Sequence, residues 1–527
     1  MTIVVFLLVV TGYQQFVVIP RARQAQRAAQ EQLKQQQGNA AAKPAILSEQ
    51  TTGIVLEAPS SVKPEKLTTL SLPHADITFS SKGAGIKTYL FKDVLGDVDL
   101  TPYEGTGYFA TLPQVDFTEA ARTKDSITFT GDLAAGVTVS KKYTFSDTGI
   151  HHIKLTFTNN SFQNVTLSDW SWNFGPGLAT VKSEMSDNER ESKAVYVIQE
   201  KGKKNPTLKT LSQNTDQSVQ GWIWAGIENR YFLTALIPQE WKSGAFAVEK
   251  EKIGLQKRLG GILGESELMG PRLQINVPSQ VIAVNTSRSY ESDFYFGPKD
   301  YNELQKLPYH LDRSIEFGFF GALGKIARRI LDTFYGWTGN YGVAIIMITI
   351  LIQALLFKVT VMQYKTMAKM KKLQPEMAKI QAKYKDNAQE LNLKVMELYR
   401  KHGVNPLSGC LPILFQMPIF IALYNALRTS WSLHGAKFAL WITDLSSKDP
   451  YYILPILMGA VMFFQQRSNA SVGATDPVQA NMIKYMPIIF TLLFMNFPSG
   501  LVLYWLTNSL ISFGIQTFIN KKLVKAS

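Results

Sequence analysis

Residues 405–428 read NPLSGCLPILFQMPIFIALYNALR, and how this stretch is read decides the fold. A turn signal opens it, about twenty mostly apolar residues follow, and Pro412, Gln416, Pro418 and Asn425 lie inside the run. At ~1.5 Å per residue such a run crosses a hydrocarbon core of ~30 Å. Lipid cannot satisfy a carbonyl freed by proline or a side-chain amide, so neighbouring helices or water must do so. The stretch therefore predicts a membrane helix inside a multi-helix bundle, with a polar side.

Outward from it, the chain of 527 residues divides into two regimes, soluble over 55–312 and membrane-like over 336–519. The net charge is +14, and residues 358–402 hold eleven Lys or Arg against four Asp or Glu. Cys410 is the one cysteine, which excludes an intrachain disulfide and, so far from the start, a lipoprotein anchor. Only His151 and His152 are adjacent histidines, and neighbours on a strand face opposite ways, so no metal site is expected. No GxSxG or Gly-rich phosphate loop occurs. Hence no catalytic residue, no cofactor and no enzyme activity are expected.

Residues 1–20 read as an uncleaved transmembrane anchor, although Arg21, Arg23 and Arg27 follow the span where the positive-inside rule would prefer them before it. Residues 21–52 form a Gln/Ala-rich linker. Over 53–312 short alternating runs such as Ile77-Thr-Phe79 and Ile153-Lys-Leu155-Thr-Phe157 are separated by turn signals, which predicts an antiparallel β-sandwich of two large stacked sheets. Residues 315–335 suit an amphipathic helix in the interface plane, with Ile315, Phe319, Leu323, Ile326 and Ile330 on one side.

The membrane domain is placed at 336–520. Its first span runs from Tyr341 to Phe357 and stops at Lys358. A basic helical hairpin over 362–402 follows, with a methionine seam of Met367, Met370 and Met377. Further spans are read within 405–428 and at 451–464, 485–497 and 501–519, with a polar loop at 465–484 and a basic tail at 521–527. Two of these are short for a ~30 Å core, which predicts local thinning of the bilayer. The positive hairpin and tail belong in the cytoplasm and the β-domain outside. No Asp, Glu, Lys or Arg lies inside a span, whereas Thr349, Gln353, Gln416, Asn425, Asn496, Tyr504, Thr507 and Asn508 do. An ion-coupled carrier needs an intramembrane charge. A small-molecule transporter, or a membrane-tethered carbohydrate-binding protein, remains the alternative reading.

Four segments together carry a resemblance: 405–428, QYKTMAKMKKLQPEM at 363–377, FALWITDLSSKDPYYILPILMGAVMFF at 438–464 and FPSGLVLYW at 497–505. In their order along the chain they resemble the YidC membrane-protein insertase family, in its Gram-negative form. The resemblance implies an α-helical polytopic membrane domain (a five-helix insertase core plus the N-terminal anchor helix) with an all-β periplasmic supersandwich domain, in the bacterial inner membrane. It further implies a polar groove, open to cytoplasm and lipid, that receives nascent membrane proteins without nucleotide hydrolysis. The implied partners are those proteins, the ribosome and signal-recognition machinery, the Sec translocon and membrane lipids, with no DNA. By the resemblance Thr349, Gln353, Gln416, Tyr504 and Trp505 line the groove, and Lys365, Lys369, Lys371 and Lys372 give the hairpin its contact face. Gln353 stands where the family typically carries an arginine, so a groove working through hydration and amide contacts is expected.

Overall fold

The computed structural model describes residues 53–54 and 64–525, apart from 134–135, 186, 213–216, 242, 258–264, 385–386, 404–410 and 470–476. The N-terminal anchor and linker, and the opening turn 405–410, lie outside the described residues. The chain forms two compact units, one from Gln50–Arg329 with Ala422–Ser447, the other including Ile330–Ile421 and Lys448–Ser527.

The first unit is the β-domain. Its largest sheet has nine strands, ordered Thr207–Thr210, Lys193–Ile198, Trp222–Glu228, Phe232–Pro238, Ser287–Pro298, His151–Asn159, Val137–Thr144, Ser126–Asp132 and Thr118–Arg122. Every pairing in it is antiparallel. His151–Asn159 shows the simplest logic, with alternate residues Ile153, Leu155 and Phe157 wholly buried. Two four-stranded sheets share one apolar core with it. They contribute Ile77 and Phe79 from one, and Trp172, Phe246 and Ile275 from the other. A three-stranded sheet adds the parallel pair Gly53–Ile54 with Thr166–Leu167. The sandwich is therefore one large sheet against smaller ones rather than two equal sheets.

Phe232–Pro238 (FLTALIP) is buried at every position. The far side of the sheet is covered too: Val195, Trp224, Leu233 and Ile237 cluster with Leu304, Leu311, Ile315, Phe317 and Ala426. Ile315 and Phe317 thus belong to the domain core, and the predicted helix begins later, as α1 (Gly321–Thr338). Gly318 explains the late start. Its φ is +69°, and a β-carbon there would meet Asn425 Nδ2 at 2.5 Å. From the same stripe Phe319, Leu323 and Ile326 are exposed.

In the helical unit, α2 (Tyr341–Lys372) runs 32 residues without a break. The helix that carries the span read to Phe357 runs on past Lys358 into the hairpin, with Lys358 exposed, since a lysine stem needs no helix end to reach polar surroundings. Pro375, with no N–H, sets the turn at Leu373. Then come α3 (Gln374–Lys383) and α4 (Ala388–Lys401), the latter capped by Asn387 Oδ1 accepting from Glu390 N–H at 3.1 Å. Met370, Leu373 and Met377 close on Val395, Leu398 and Tyr399. The bundle is completed by α5 (Leu411–Arg428), α6 (Ile453–Asn469), α7 (Pro477–Phe494) and α8 (Ser499–Lys525). The spans read as short are helices of 17 and 18 residues, since both extend into the loop read at 465–484. The added turns are largely polar, and the apolar stretches, Ile453–Arg467 and Tyr485–Phe494, stay short for a ~30 Å core.

Candidate functional site: a polar seam in the helical unit

Where a helix must lie in lipid, a polar side chain is tolerable if it turns inward and meets another. Gln353 on α2 does so. It is 6% exposed, and its Nε2 donates to Asn508 Oδ1 and, at 3.2 Å, to Ser512 Oγ on α8. Its Oε1 is buried with no hydrogen-bond donor among the described residues. One turn away, Thr349 is fully buried and its hydroxyl donates to Ile345 O of its own helix at 2.6 Å.

A second pair joins α5 to α8. Gln416 Nε2 donates to the hydroxyl of the fully buried Tyr504 at 2.6 Å. Beside it, half-buried Trp505 sits edge-on to Phe420, with ring centres 4.9 Å apart, and tilts against Phe494 at 5.2 Å. A third pair joins α2 to α6, where Gln465 Nε2 donates to Tyr364 OH at 3.1 Å.

The five predicted groove residues therefore fall into two contacts rather than one: Gln353 with Asn508 and Ser512, and Gln416 with Tyr504. Thr349 is satisfied within its own helix, and Trp505 packs among rings. Sequence reasoning missed Ser512, Tyr364 and Gln465 as partners. Ser512 was legible in principle, because it lies one turn beyond Asn508 on α8 and so on the same face. The hairpin residues Lys365, Lys369 and Lys372 are exposed, and the side chain of Lys371 lies outside the described ones.

Family comparison agrees in both halves. Residues 95–327 match the model described as the YidC periplasmic domain, and 333–526 match that of the 60Kd inner membrane protein. A membrane protein insertase YidC of Endomicrobium trichonymphae is 37% identical over 84% of this chain and 83% of its own. That of Pelobacter propionicus is 39% identical over 79% of this chain and 75% of its own. The chain belongs to the YidC membrane protein insertase family. The β-rich part is then a periplasmic domain and the helices a polytopic membrane domain. In this chain the α2 polar position is a glutamine, held by an amide and a hydroxyl rather than by a charge.

Proposed function

We propose that the chain inserts membrane proteins by offering nascent segments an uncharged, hydratable seam along α2, α5 and α8. One observation carries this reading: Gln353 presents a buried carbonyl oxygen with no donor among the described residues. An unpaired acceptor away from water costs ~1–3 kcal/mol, so a helix position keeps one where a donor arrives in use. A peptide N–H or a water entering with a polar tail is such a donor. Each such contact lowers the several-kcal/mol barrier to moving polar groups into hydrocarbon, with no nucleotide hydrolysis required. Thr349, Gln416, Tyr504 and Trp505 form the wall against which the segment slides.

On this reading the protein sits in the bacterial inner membrane with its C-terminus in the cytoplasm. The basic hairpin face of Lys365, Lys369, Lys371 and Lys372 meets the ribosome and signal-recognition machinery, and the Sec translocon is a further partner. The test is an insertion assay with Gln353→Leu. We expect insertion of a client with a short polar tail to fall severalfold while the variant stays folded. Unimpaired insertion removes Gln353 from the mechanism. Photo-crosslinks from positions 353 and 505 to a ribosome-bound segment report the same path.

A further inference from the structure

Two turns far apart in sequence carry bare apolar side chains in the β-unit. The first is Asp93–Gly96, closed by Gly96 N–H to Asp93 O at 3.2 Å and Leu95 N–H to Asp93 Oδ2 at 3.3 Å. At its apex Val94 is 85% and Leu95 53% exposed. The second is closed by Phe438 N–H to Ile442 O at 3.0 Å and Ile442 N–H to Ala439 O at 3.1 Å. Leu440, at its tip, is 88% exposed and has φ +54°, a conformation that a bulky side chain rarely adopts.

The first turn is fastened to the segment that leads into the second. His434 Nε2 meets Asp93 Oδ2 at 2.9 Å, with both side chains about 95% buried. Gly435, at φ +68°, lies so close that a β-carbon there would stand 3.2 Å from Leu95 Cγ and 3.3 Å from Val94 Cγ2. One flank of the Val94–Leu95 apex is covered by this backbone, and the other is bare.

Lipid is the occupant that the connectivity selects. The unit contains Ala422–Arg428, the end of membrane helix α5, and the segment after it leads to membrane helix α6, so the Leu440 turn is tethered at the bilayer surface at both ends. Arg328 of α1 donates to Ser430 and, at 2.8 Å, to Ser432, so the helix bearing exposed Leu323 and Ile326 is fixed to the same segment. Asp93, Asp97 and Asp99 line the turn, which disfavours an anionic surface and leaves acyl chains as the contact.

We propose that the Val94–Leu95 turn, with Leu440, is a membrane-contact wedge of the β-domain that enters the lipid leaflet facing it. The test uses the full chain with Cys410→Ser and an environment-sensitive dye at Val94→Cys, Leu95→Cys or Leu440→Cys. The protein is reconstituted in zwitterionic phosphatidylcholine vesicles with or without brominated acyl chains. Phe162→Cys, 96% exposed elsewhere in the same domain, is the reference. At the three wedge positions we expect blue-shifted emission quenched about twofold by bromolipid, against none at 162. Quenching no greater than at 162 overturns the proposal. So does a blue shift without bromolipid quenching, which would mean that protein covers the turns.

Discussion

The β-domain buries ion pairs, whereas the helices of the helical unit bury no full charge among their described residues; its one buried carboxylate, Asp449 just before α6, accepts from the backbone N–H groups of Tyr451 and Leu454 instead of pairing with a cation. In the domain Glu228 is 1% exposed between Lys299 at 3.0 Å and Lys193 at 3.8 Å, and burial pushes its carboxyl up despite both cations. Arg230 pairs with Glu184 at 2.5 Å and donates from Nε to Arg428 O at 2.8 Å, while Arg428 pairs with Glu191 at 2.5 Å. These pairs surround a cavity of about 160 Å³, roomy enough for several waters. In the helical unit amide meets amide or hydroxyl. The difference teaches where each unit draws its polar partners. A domain in water folds by bringing opposite charges together, whereas lipid gives a stranded charge no refuge, so a seam there must use groups that are cheap to leave half-paired.

The sharpest way to break this comparison is Glu228→Leu. Removing the carboxylate leaves Lys299, 7% exposed, without a counter-charge, and we expect a loss of about 3–5 kcal/mol of domain stability in denaturant unfolding. A loss below ~1 kcal/mol would show that these ion pairs do not hold the domain together.

Lys141 tests the same contrast through pH. It is wholly buried without a carboxylate, donating to Gly83 O at 3.0 Å, to Phe109 O at 2.5 Å and to Thr111 Oγ1 at 3.2 Å, and desolvation holds its pKa well below that of a free lysine. With the folded value depressed, the unfolded chain binds more protons in the window below 10.5, so stability rises with pH there. Between pH 7 and 9.5 the wild type should gain on Lys141→Met by up to about 1.4 kcal/mol per pH unit. Parallel melting curves across that range would show that Lys141 stays charged in the fold.

A packing variant probes the helical unit apart from its polar groups. A β-carbon at Gly459 on α6 would stand 1.9 Å from Thr491 Oγ1 on α7, a hydroxyl that already donates to Pro487 O at 2.8 Å. Gly459→Val should cost about 1–3 kcal/mol by forcing the helices apart, read as a lower melting temperature in detergent. Gly459→Ala, with its lesser intrusion, should fall between.

Much of this was legible in the residues because period carries the information. The alternation in Ile153-Lys-Leu155-Thr-Phe157 named a strand, and the inward amides Gln353 and Gln416 were marked by being polar where lipid tolerates little. What escaped was set by distance. Nothing local to Glu191 says that it meets Arg428 across 237 positions, and although the unbroken apolar run Phe232–Pro238 signals a strand covered on both faces, it does not say what covers the second one.

The smallest expected effect separates stability from function most cleanly. Gln416→Leu removes the donor to Tyr504 and leaves an apolar side chain of similar volume beside Phe420 and Trp505. Interhelical hydrogen bonds in membranes average only ~0.6 kcal/mol, so the melting temperature should barely move. If the seam exists to receive polar segments, insertion must nonetheless drop, because Tyr504 OH then lies beside leucine and the path loses an amide. An unchanged melting curve with impaired insertion would mark the α5–α8 contact as part of the path. A destabilised variant that inserts normally would mark it as simple packing and confine the path to Gln353, Asn508 and Ser512.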